Sequence, residues 1–410
     1  MADHRLNKFL SHNSRSFTLI EMLITVAIIA VLMTVVVLAI NPTEITKKAR
    51  DTQRLTDMAN LEMLLQLARS EGMLNTSYCD GTKIYASLPS ETPLSNNNLP
   101  AGISWAQVSE DKIRNADGTG WIPLNFKSLN YLQTSVLPVD PKNSLDNSLY
   151  YTFYCNPERE YILTAYPESQ TFGPKGGQDS KTIGDGGPDP YVYEVGNNLF
   201  ISPLKPVGSW SFDEGTGNIA NDSSGNDNNG TLISGPTWAD GQINKALSFD
   251  GVDDCVQVNY NSTLDIKNAI TLETWFYRNA AYSIQADIHI LSRSPSWFFY
   301  DSYDQGVFRG DVYINGTRYG ICTNFFPSYT WQHVVFTYDS NTHWLRIYRN
   351  GVLENSRQLS DLSNYLIDSS TSYIRIGRAS QSKSNIVDEP RIYNRVLSAE
   401  EIERHYEMSK

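Results

Sequence analysis

The sequence predicts a multidomain protein of mixed α+β and all-β class, and three features of its hydropathy pattern support that prediction. An apolar run lies near the N-terminus, a tyrosine-rich and turn-rich region follows it, and the C-terminal half alternates short hydrophobic strands with polar turns. These patterns indicate, in order, a long helix, a small module with short strands, and an antiparallel β-sandwich. A length of 410 residues accommodates two or three such domains.

The charge balance excludes one class of partner. The formal net charge is -12 at pH 7, and only 19% of the residues are charged. Proteins that bind nucleic acids need an excess of lysine and arginine to neutralise phosphates, so no nucleic-acid partner is predicted. The abundance of glycine, asparagine, serine and tyrosine is typical of an exported, β-rich protein.

The N-terminal apolar run is long enough to cross a membrane. From Met22 to Ile40 the residues are apolar except for Thr25 and Thr34, and residues 17–20 extend the run. At 1.5 Å per residue this segment reaches about 36 Å as a helix. Basic residues precede the run, so the N-terminus is expected in the cytoplasm and the rest of the chain outside it. No small-residue cleavage site follows, which argues against an ordinary secretory signal.

The phrase "SFTLIEMLITVAIIAVLM" closely resembles the N-terminus of type IV prepilins and type II secretion pseudopilins. The resemblance implies that a prepilin peptidase cleaves between Ser16 and Phe17 and then methylates the amino group of Phe17. It also implies that Glu21 pairs with the N-terminus of a neighbouring subunit, which satisfies a charge that is costly when buried alone. The family usually has glycine before the cut, where this chain has Ser16. The alternative is an ordinary membrane anchor with Glu21 at the interface.

The helix is expected to continue after a break at Pro42, which cannot donate a backbone hydrogen bond. Apolar residues then recur at steps of three and four, which marks one helical face. These residues are Leu55, Met58, Leu61, Leu65 and Ala68. Gly72 follows as the predicted C-cap, so residues 17–72 form one interrupted helix with its membrane half at 17–41.

The middle module spans residues 73–200. The phrases "SLYYTFYC" and "EYILTAYP" flank "NPER" and predict a β-hairpin. The region around "LPVDP" resembles pseudopilin headgroups, which implies an α/β fold with the N-terminal helix against an antiparallel sheet. A Gly/Pro-rich stretch then presents Asp179, Asp185 and Asp189. Some pseudopilins bind calcium through such loops, but a flexible linker with solvated aspartates is the favoured interpretation.

The C-terminal module, residues 205–405, contains phrases such as "ALSFDGVDDCVQV", "WQHVVFTYDSNTHWLRIYRNG" and "VDEPRIYNRVLSAEEIERHY". Together they resemble the laminin-G-like, concanavalin-A-like jelly roll of bacterial surface proteins. Pro390 stands where the family commonly has a β-branched residue, and a proline inside a strand predicts an edge position or a β-bulge.

The sequence offers no catalytic constellation in this module. Glycan-cleaving jelly rolls need two carboxylates on one strand, whereas "LETWFY" has only Glu273. His333 and His343 have no serine or cysteine nucleophile motif around them, and a structural role is expected for His333. The chain is therefore predicted not to be an enzyme.

Oxygen-rich positions predict a calcium ion on the jelly roll. Asp213 and Asp388 match the positions at which this fold class binds calcium, and carboxylates are the ligands that calcium prefers. The Asn/Gly-rich loop at 221–230 is a weaker candidate, because such clusters usually form turns.

The four cysteines fall two and two on either side of the Gly/Pro-rich stretch. This division favours disulfides between Cys79 and Cys155 and between Cys255 and Cys322. Four free thiols are the alternative.

The leading functional hypothesis is a minor pilin or pseudopilin that displays a lectin-like domain outside the cell. Its expected partners are other pilin subunits, the prepilin peptidase, the assembly machinery, the cytoplasmic membrane that it crosses once, and a glycan or surface-protein ligand. The alternative is a membrane-tethered glycan-active enzyme that uses the pilin segment as an anchor.

Overall fold

A computed structural model describes most of the chain. The described residues are 18–279, 287–302, 306–379 and 384–410. The predicted leader at 1–16, the cleavage site between Ser16 and Phe17, and the methylated Phe17 lie outside them.

The chain divides into two compact units, Met1–Thr46 and Lys47–Lys410. The second unit holds both the middle module and the β-sandwich. The predicted boundary between these two modules, at residues 200–205, stays a prediction.

In the first unit, helix α1 (Leu19–Ile40) carries the apolar run. Its two threonine hydroxyls donate to backbone carbonyls one turn earlier, Thr25 Oγ1 to the Met22 oxygen at 2.9 Å and Thr34 Oγ1 to the Ala30 oxygen at 2.8 Å. These bonds satisfy the two hydroxyl donors within the helix itself. Within the described part of the chain, no helix has both the length and the hydropathy of a membrane span.

Helix α2 (Pro42–Ser70) starts directly after the predicted break. Asn41 adopts a left-handed φ of 44° between the two helices, and proline suits the first position of a helix because its missing N–H needs no partner there. At the other end, Gly72 takes a φ of 70°, as the predicted C-cap requires. Both predicted ends of this helix are therefore confirmed.

The apolar face of α2 packs onto a five-stranded sheet. Met58, Leu61, Leu65 and Ala68 are fully buried there, whereas Leu55 is half-buried. The strands are β1 (Lys83–Ala86), β2 (Ser104–Ala106), β3 (Thr152–Cys155), β4 (Tyr161–Ala165) and β5 (Tyr193–Gly196), in the order β2-β1-β3-β4-β5. The predicted hairpin joins β3 to β4. The sheet is antiparallel, as predicted, in three of its four strand pairings, and at one edge β2 runs parallel to β1.

A disulfide ties the end of the helical region to this sheet. Cys79 bonds to Cys155 at the end of β3, with the two Cα atoms 4.5 Å apart. Both residues are fully buried against the face that receives α2. The structure thus contains the first of the two predicted disulfides.

The C-terminal half is a sandwich of two eight-stranded antiparallel sheets. The first sheet has the order β19-β18-β17-β12-β21-β10-β9, with β6 paired to β21, and the second has the order β16-β15-β14-β13-β20-β11-β8-β7. The strands of the first sheet are β6 (Gly208–Ser209), β9 (Thr237–Asp240), β10 (Lys245–Phe249), β12 (Ala269–Arg278), β17 (Trp331–Asp339), β18 (Trp344–Arg349), β19 (Val352–Gln358) and β21 (Asn385–Tyr393). The strands of the second sheet are β7 (Ile219–Ala220), β8 (Gly230–Ile233), β11 (Cys255–Val258), β13 (Ile288–Arg293), β14 (Trp297–Ser302), β15 (Val307–Ile314), β16 (Thr317–Cys322) and β20 (Ile374–Ala379).

Large apolar side chains fill the space between the two sheets. Phe276 and Phe336 of the first sheet and Trp297 and Phe299 of the second are at most 1% exposed. Gly310 of β15 faces the same core, where a Cβ atom would lie 2.1 Å from the ring of Phe336. The alternating apolar positions of the sequence therefore form the sandwich core.

The second predicted disulfide does not form, and Cys255 and Cys322 are free thiols. Cys255 lies on β11 and Cys322 on β16, with four strands between them in the same sheet. At about 4.8 Å per strand the two residues are roughly 24 Å apart. A disulfide requires Cα atoms within about 7 Å, so the sheet itself prevents this pairing.

Pro390 forms a β-bulge in the central strand β21, one of the two predicted placements. Glu273 of β12 pairs with Arg391 and Trp275 pairs with Asp388, so β21 has one extra residue between these pairs. Glu389, at the bulge, has a φ of 53°. The bulge places several charged side chains of β21 close together.

Helix α3 (Ala399–Ser409) closes the chain and extends past the predicted module end at residue 405. Ser398 and Glu401 form a capping box at its N-terminus. Ile402 packs with Tyr348 and Tyr393 on the outer face of the first sheet. One face of the sandwich is therefore covered by a helix.

Candidate functional site

Of the residues predicted to serve processing and assembly, Glu21 lies within the described chain. It is in the first turn of α1, and its Oε2 atom accepts hydrogen bonds from the Thr18 backbone N–H at 3.0 Å and from the Thr18 hydroxyl at 2.9 Å. Thr18 and Glu21 thus satisfy backbone groups that a helix start leaves unpaired. The Glu21 side chain is exposed and accessible to a second chain.

A buried ionic cluster fixes α2 to the middle module. The guanidinium of Arg54 donates to both carboxylate oxygens of Asp140, at 2.6 and 2.8 Å, and also to Asp51 at 2.6 Å and Glu168 at 2.9 Å. Burial lowers the pKa of Arg54, but the surrounding carboxylates outweigh burial and raise it, so the side chain stays charged. Asp140 is the aspartate of the "LPVDP" phrase. Asp140 of that motif is therefore the main anionic partner of Arg54 on α2.

A second buried network joins three parts of the second unit. The Oε1 atom of Glu273, on β12, lies 2.9 Å from His333 Nε2 on β17 and 2.9 Å from His405 Nδ1 on α3. The ring of Tyr191, from the Gly/Pro-rich stretch, stacks on His405 at 4.0 Å. Arg391 lies 4.6 Å over the same tyrosine ring. The middle module, the sandwich and α3 thus meet around one carboxylate.

The electrostatics of this network stabilise an ionised Glu273. Burial raises its pKa, but the imidazoles of His405 and His333 outweigh burial and hold that pKa well below its ordinary value. Burial lowers the pKa of His333. Glu273 and His333 are each 1% exposed and pair with each other inside the fold; the structural role expected of His333 stays a prediction.

The other histidine considered for catalysis is also packed within the fold. His343 stacks on Tyr365 with 3.5 Å between ring centroids. It lies at the turn between β17 and β18 and is half-buried.

The two predicted calcium ligands lie in one region but differ in their bonding. Both oxygens of Asp213 accept hydrogen bonds, from the Lys245 backbone N–H at 2.9 Å and from the Asn244 amide at 3.1 Å. Asp388 accepts from the Ile243 backbone N–H through Oδ2, while its buried Oδ1 atom has no partner within the described chain. Burial, followed by the neighbouring Glu389, raises the pKa of Asp388 well above its ordinary value. Asp388 thus provides an unpaired oxygen that a cation would satisfy.

The structure also contains an acidic cluster that the sequence analysis did not identify. Asp250, Asp253 and Asp254, between β10 and β11, place carboxylate oxygens within 4.8 Å of one another. The first two are exposed and the third is buried. Exposed acidic clusters are common without a metal, and this cluster alone does not define a site.

The Gly/Pro-rich stretch is not a flexible linker, contrary to the favoured interpretation. Asp185 accepts hydrogen bonds from the backbone N–H groups of Gly187 and Glu194, at 2.9 and 2.8 Å, and burial raises its pKa to about 7. Asp189 is buried and accepts from the Tyr191 backbone N–H at 3.0 Å, whereas Asp179 is exposed. These bonds order the stretch internally, and the stacking of Tyr191 on His405 and the pairing of β5 with β4 connect it to the rest of the second unit.

The residues that join the modules were not found from the sequence. Tyr191, Arg391 and His405 are separated by up to 214 positions along the chain. Single residues of these types give no periodic or motif signal, so only the tertiary structure brings them together.

Comparison with protein families gives two matches. Residues 11–37 match the prokaryotic N-terminal methylation motif, and residues 250–403 match the concanavalin A-like lectin/glucanases superfamily. A search of curated proteins gave no match.

Solved structures resemble about half of the chain. The binding domain of Paraclostridial Mosquitocidal Protein 1 is 17% identical with a TM-score of 0.43, and the alignment covers 49% of this chain and 51% of that chain. The binding domain of botulinum neurotoxin serotype G is 18% identical with a TM-score of 0.41, over 49% of this chain and 50% of that chain. The present chain thus spans about half the length of these structures. On the two family matches, it combines a prepilin-type N-terminal methylation motif with a concanavalin A-like domain.

Proposed function

We propose that this chain is a minor subunit of a type IV pilus or a type II secretion pseudopilus, with the sandwich displayed outside the cell as a lectin-like binding module. The observation that carries the proposal is the presence, on one chain, of a prepilin-type methylation motif and a concanavalin A-like domain. In this proposal α1 anchors the chain once in the cytoplasmic membrane before assembly. Filament assembly then uses the pairing of Glu21 with the N-terminus of the next subunit.

The contacts inside the second unit support display of the sandwich on a filament. Arg404 of α3 lies 3.7 Å over the ring of Tyr166, and the amide of Gln170 donates to the Glu407 carbonyl at 3.3 Å. Together with the buried Glu273 network, these contacts fix the sandwich to the middle module. Because the sandwich is fixed to the middle module, it would be held at a defined position on each filament subunit. Because a 200-residue appendage would crowd a major subunit, a minor or tip position is proposed.

Processing and assembly can be tested separately in the producing cells. Mass spectrometry of the membrane-extracted protein should find an N-terminus at methylated Phe17. Glu21→Gln should leave cleavage intact but lower recovery of the chain in sheared filaments, and Glu62→Gln on α2 is the matched control. An N-terminus at Met1 in mature protein would refute the proposal, as would normal filament recovery of Glu21→Gln.

The enzyme alternative has a direct test. The full chain incubated with polysaccharides should release no new reducing ends above buffer. Turnover that is lost on mutation of one exposed carboxylate would replace the binding function with a membrane-tethered glycan-active enzyme.

We further propose that Asp213 and Asp388 bind calcium. The unpaired Oδ1 atom of Asp388 supports this site, since calcium takes oxygen ligands and would satisfy that atom. Isothermal titration with calcium should give one binding event in the full chain that Asp388→Asn removes. Asp250→Asn, in the exposed acidic cluster, is the control. Loss of binding in the control alone would move the site to that cluster.

A further inference from the structure

We propose that the outer face of the second sandwich sheet binds an acidic saccharide, one that carries carboxylate or sulfate groups. The inference rests on the proposed function only in taking the sandwich as a binding module. Beyond that function, we assign the binding face to the second sheet and the ligand to the acidic saccharides.

Strand pairing places a row of polar and aromatic side chains across this face. His289 of β13 pairs with Arg378 of β20 and with Tyr300 of β14, and Tyr300 pairs with Arg309 of β15. Residues directly opposite each other in antiparallel strands point to the same side of the sheet. The core residues of these strands alternate with this row, so the row faces away from the core.

A second row lies beside the first. Arg375 of β20 pairs with Ser292 of β13, Ser292 pairs with Phe298 of β14, and Phe298 pairs with Asp311 of β15. A β-bulge in β13 keeps both rows on one face, because His289 and Ser292 are three residues apart rather than two. Four adjacent strands therefore contribute to one surface.

The rings on this face form a continuous aromatic surface. Phe298 lies 5.3 Å from His289 and 5.8 Å from Tyr313, and His289 lies 5.8 Å from Tyr300, measured between ring centroids. Phe298, His289 and Tyr313 are half-buried, so part of each ring is open to solvent. A partly exposed ring offers a flat apolar surface against which the C–H face of a sugar ring can pack, and tyrosine adds a polar group.

Two arginines on this face are held in place by one buried carboxylate. Arg309 and Arg318 both bind the fully buried carboxylate of Asp311, with Nε distances of 3.0 and 2.7 Å. Arg318 also lies 5.6 Å over the ring of Phe298 and 5.3 Å over that of Tyr300. A guanidinium held on both sides loses less conformational freedom when a ligand binds.

Gly320 leaves the space that this arrangement needs. It pairs with Asp311 across β15 and β16, and a Cβ atom at Gly320 would lie 1.5 Å from the Asp311 carboxylate. Any larger residue there would displace the carboxylate that holds the two arginines.

Two further arginines are available to a ligand. Arg375 and Arg378 have no carboxylate partner among the described residues, and Arg378 is exposed. Arg378 pairs directly with His289 across β20 and β13. Burial lowers the pKa of His289, and Arg378, Arg318 and Arg375 lower it further against the opposing effect of Asp287. Among the described residues, Arg309, Arg318, Arg375 and Arg378 lie on this face in a chain whose net charge is -12. The carboxylates near them are Asp311, Asp287 and, beside Cys255, Asp253 and Asp254.

The arginines on this face favour an anionic ligand. The planar guanidinium forms paired hydrogen bonds to carboxylate and sulfate groups, and a local positive surface on an acidic protein attracts anions. Helix α3 packs on the corresponding face of the first sheet, whereas on the second sheet, among the described residues, Arg378 is exposed and the rings of Phe298, His289 and Tyr313 are half-buried. Arginines alone would also suit an acidic polypeptide, but the row of open rings favours a sugar.

The test measures binding of the full chain in detergent to immobilised polymers. These are a polyuronate, a sulfated polysaccharide, neutral dextran and poly-glutamate. Binding to at least one of the two acidic saccharides, and stronger than to dextran or poly-glutamate, is expected. Comparison of the two acidic saccharides shows which anionic group is used. Binding no stronger than to dextran would overturn the proposal, and equal binding to poly-glutamate would assign the face to an acidic polypeptide instead.

Two variants test the face itself. The double variant Arg375→Gln, Arg378→Gln should bind the acidic saccharide at least about tenfold more weakly, because hydrogen bonds to charged groups are each worth more than a neutral one. Phe298→Leu should weaken saccharide binding without changing residual poly-glutamate binding. Arg346→Gln is the matched control, since Arg346 lies 5.2 Å over Trp344 on the other sheet.

The outcomes are separable from those of the proposed function. Unchanged affinity in the double arginine variant, with melting temperature equal to that of the parent, would refute this inference and leave N-terminal processing and filament recovery untouched. Failure of filament assembly would leave the saccharide measurement intact.

Discussion

Replacement of Arg54 by methionine is expected to release α2 from the middle module. The guanidinium is 2% exposed and donates four hydrogen bonds to three carboxylates, Asp51, Asp140 and Glu168. Methionine fills a similar volume but leaves these carboxylates without their main cation. Removal of one partner from a buried ion pair costs about 3–5 kcal/mol.

Arg50→Met is the control for this prediction. Arg50 also binds Glu168, at 2.5 Å, but its side chain is 25% exposed and it contacts no other carboxylate at hydrogen-bond distance among the described residues. A partly exposed pair of this kind is worth about 1 kcal/mol or less.

Hydrogen exchange of α2 amides, followed by mass spectrometry, measures the local free energy of opening. In Arg54→Met the protection of residues 51–68 should fall by several kcal/mol, whereas in Arg50→Met it should change little. Equal losses in the two variants would show that the cluster does not anchor the helix through Arg54, and the reasoning from buried charge would be wrong.

Three further predictions follow from the same structure. Cys79→Ser should lower the free energy of unfolding by about 4 kcal/mol, estimated from the 76-residue separation of the disulfide, and a denaturant titration that shows no loss would contradict this. The stability that His333 contributes should be lost as the pH falls below 6.5, because burial depresses its folded-state pKa, and the part that Glu401 contributes should be lost below 4.5, because Arg395 depresses its folded-state pKa despite its burial. Both groups then bind protons more readily when unfolded, so Glu401→Gln should reduce the acid loss measured by thermal melts at several pH values. Iodoacetamide should alkylate Cys322 faster than Cys255, which is buried and whose thiol pKa is raised by that burial; equal rates in peptide mapping would refute this placement.

Local signals in the sequence were sufficient for α1 and α2 and for the alternation of short strands in the sandwich, but not for α3. Asn41 and Pro42 mark the break between α1 and α2, and Gly72 marks the end of α2, because backbone conformation at such residues depends on their own chemistry. Pro390 predicted either an edge position or a bulge, and the structure contains the bulge. The prepilin-type motif is equally local, since its residues are contiguous.

Pairings between distant residues were predictable only where few choices existed. The correct disulfide from Cys79 follows from the division of the chain into modules, but the same argument failed for Cys255 and Cys322. Strand order decides whether two residues of one sheet meet, and the alternation of side chains along a strand gives no information on strand order.

The sequence by itself determined the presence of a prepilin-type helix and a β-sandwich, because contiguous motifs and periodicity specify both. Only the tertiary structure decided that His405, on which Tyr191 stacks, pairs with the buried carboxylate of Glu273. It also decided that Arg318 and Arg378 share one face. A buried charge requires partners from any element within contact distance, and chain separation does not limit which element supplies them. The face proposed for the ligand therefore arises from strand register, which becomes defined only when the whole sheet has formed.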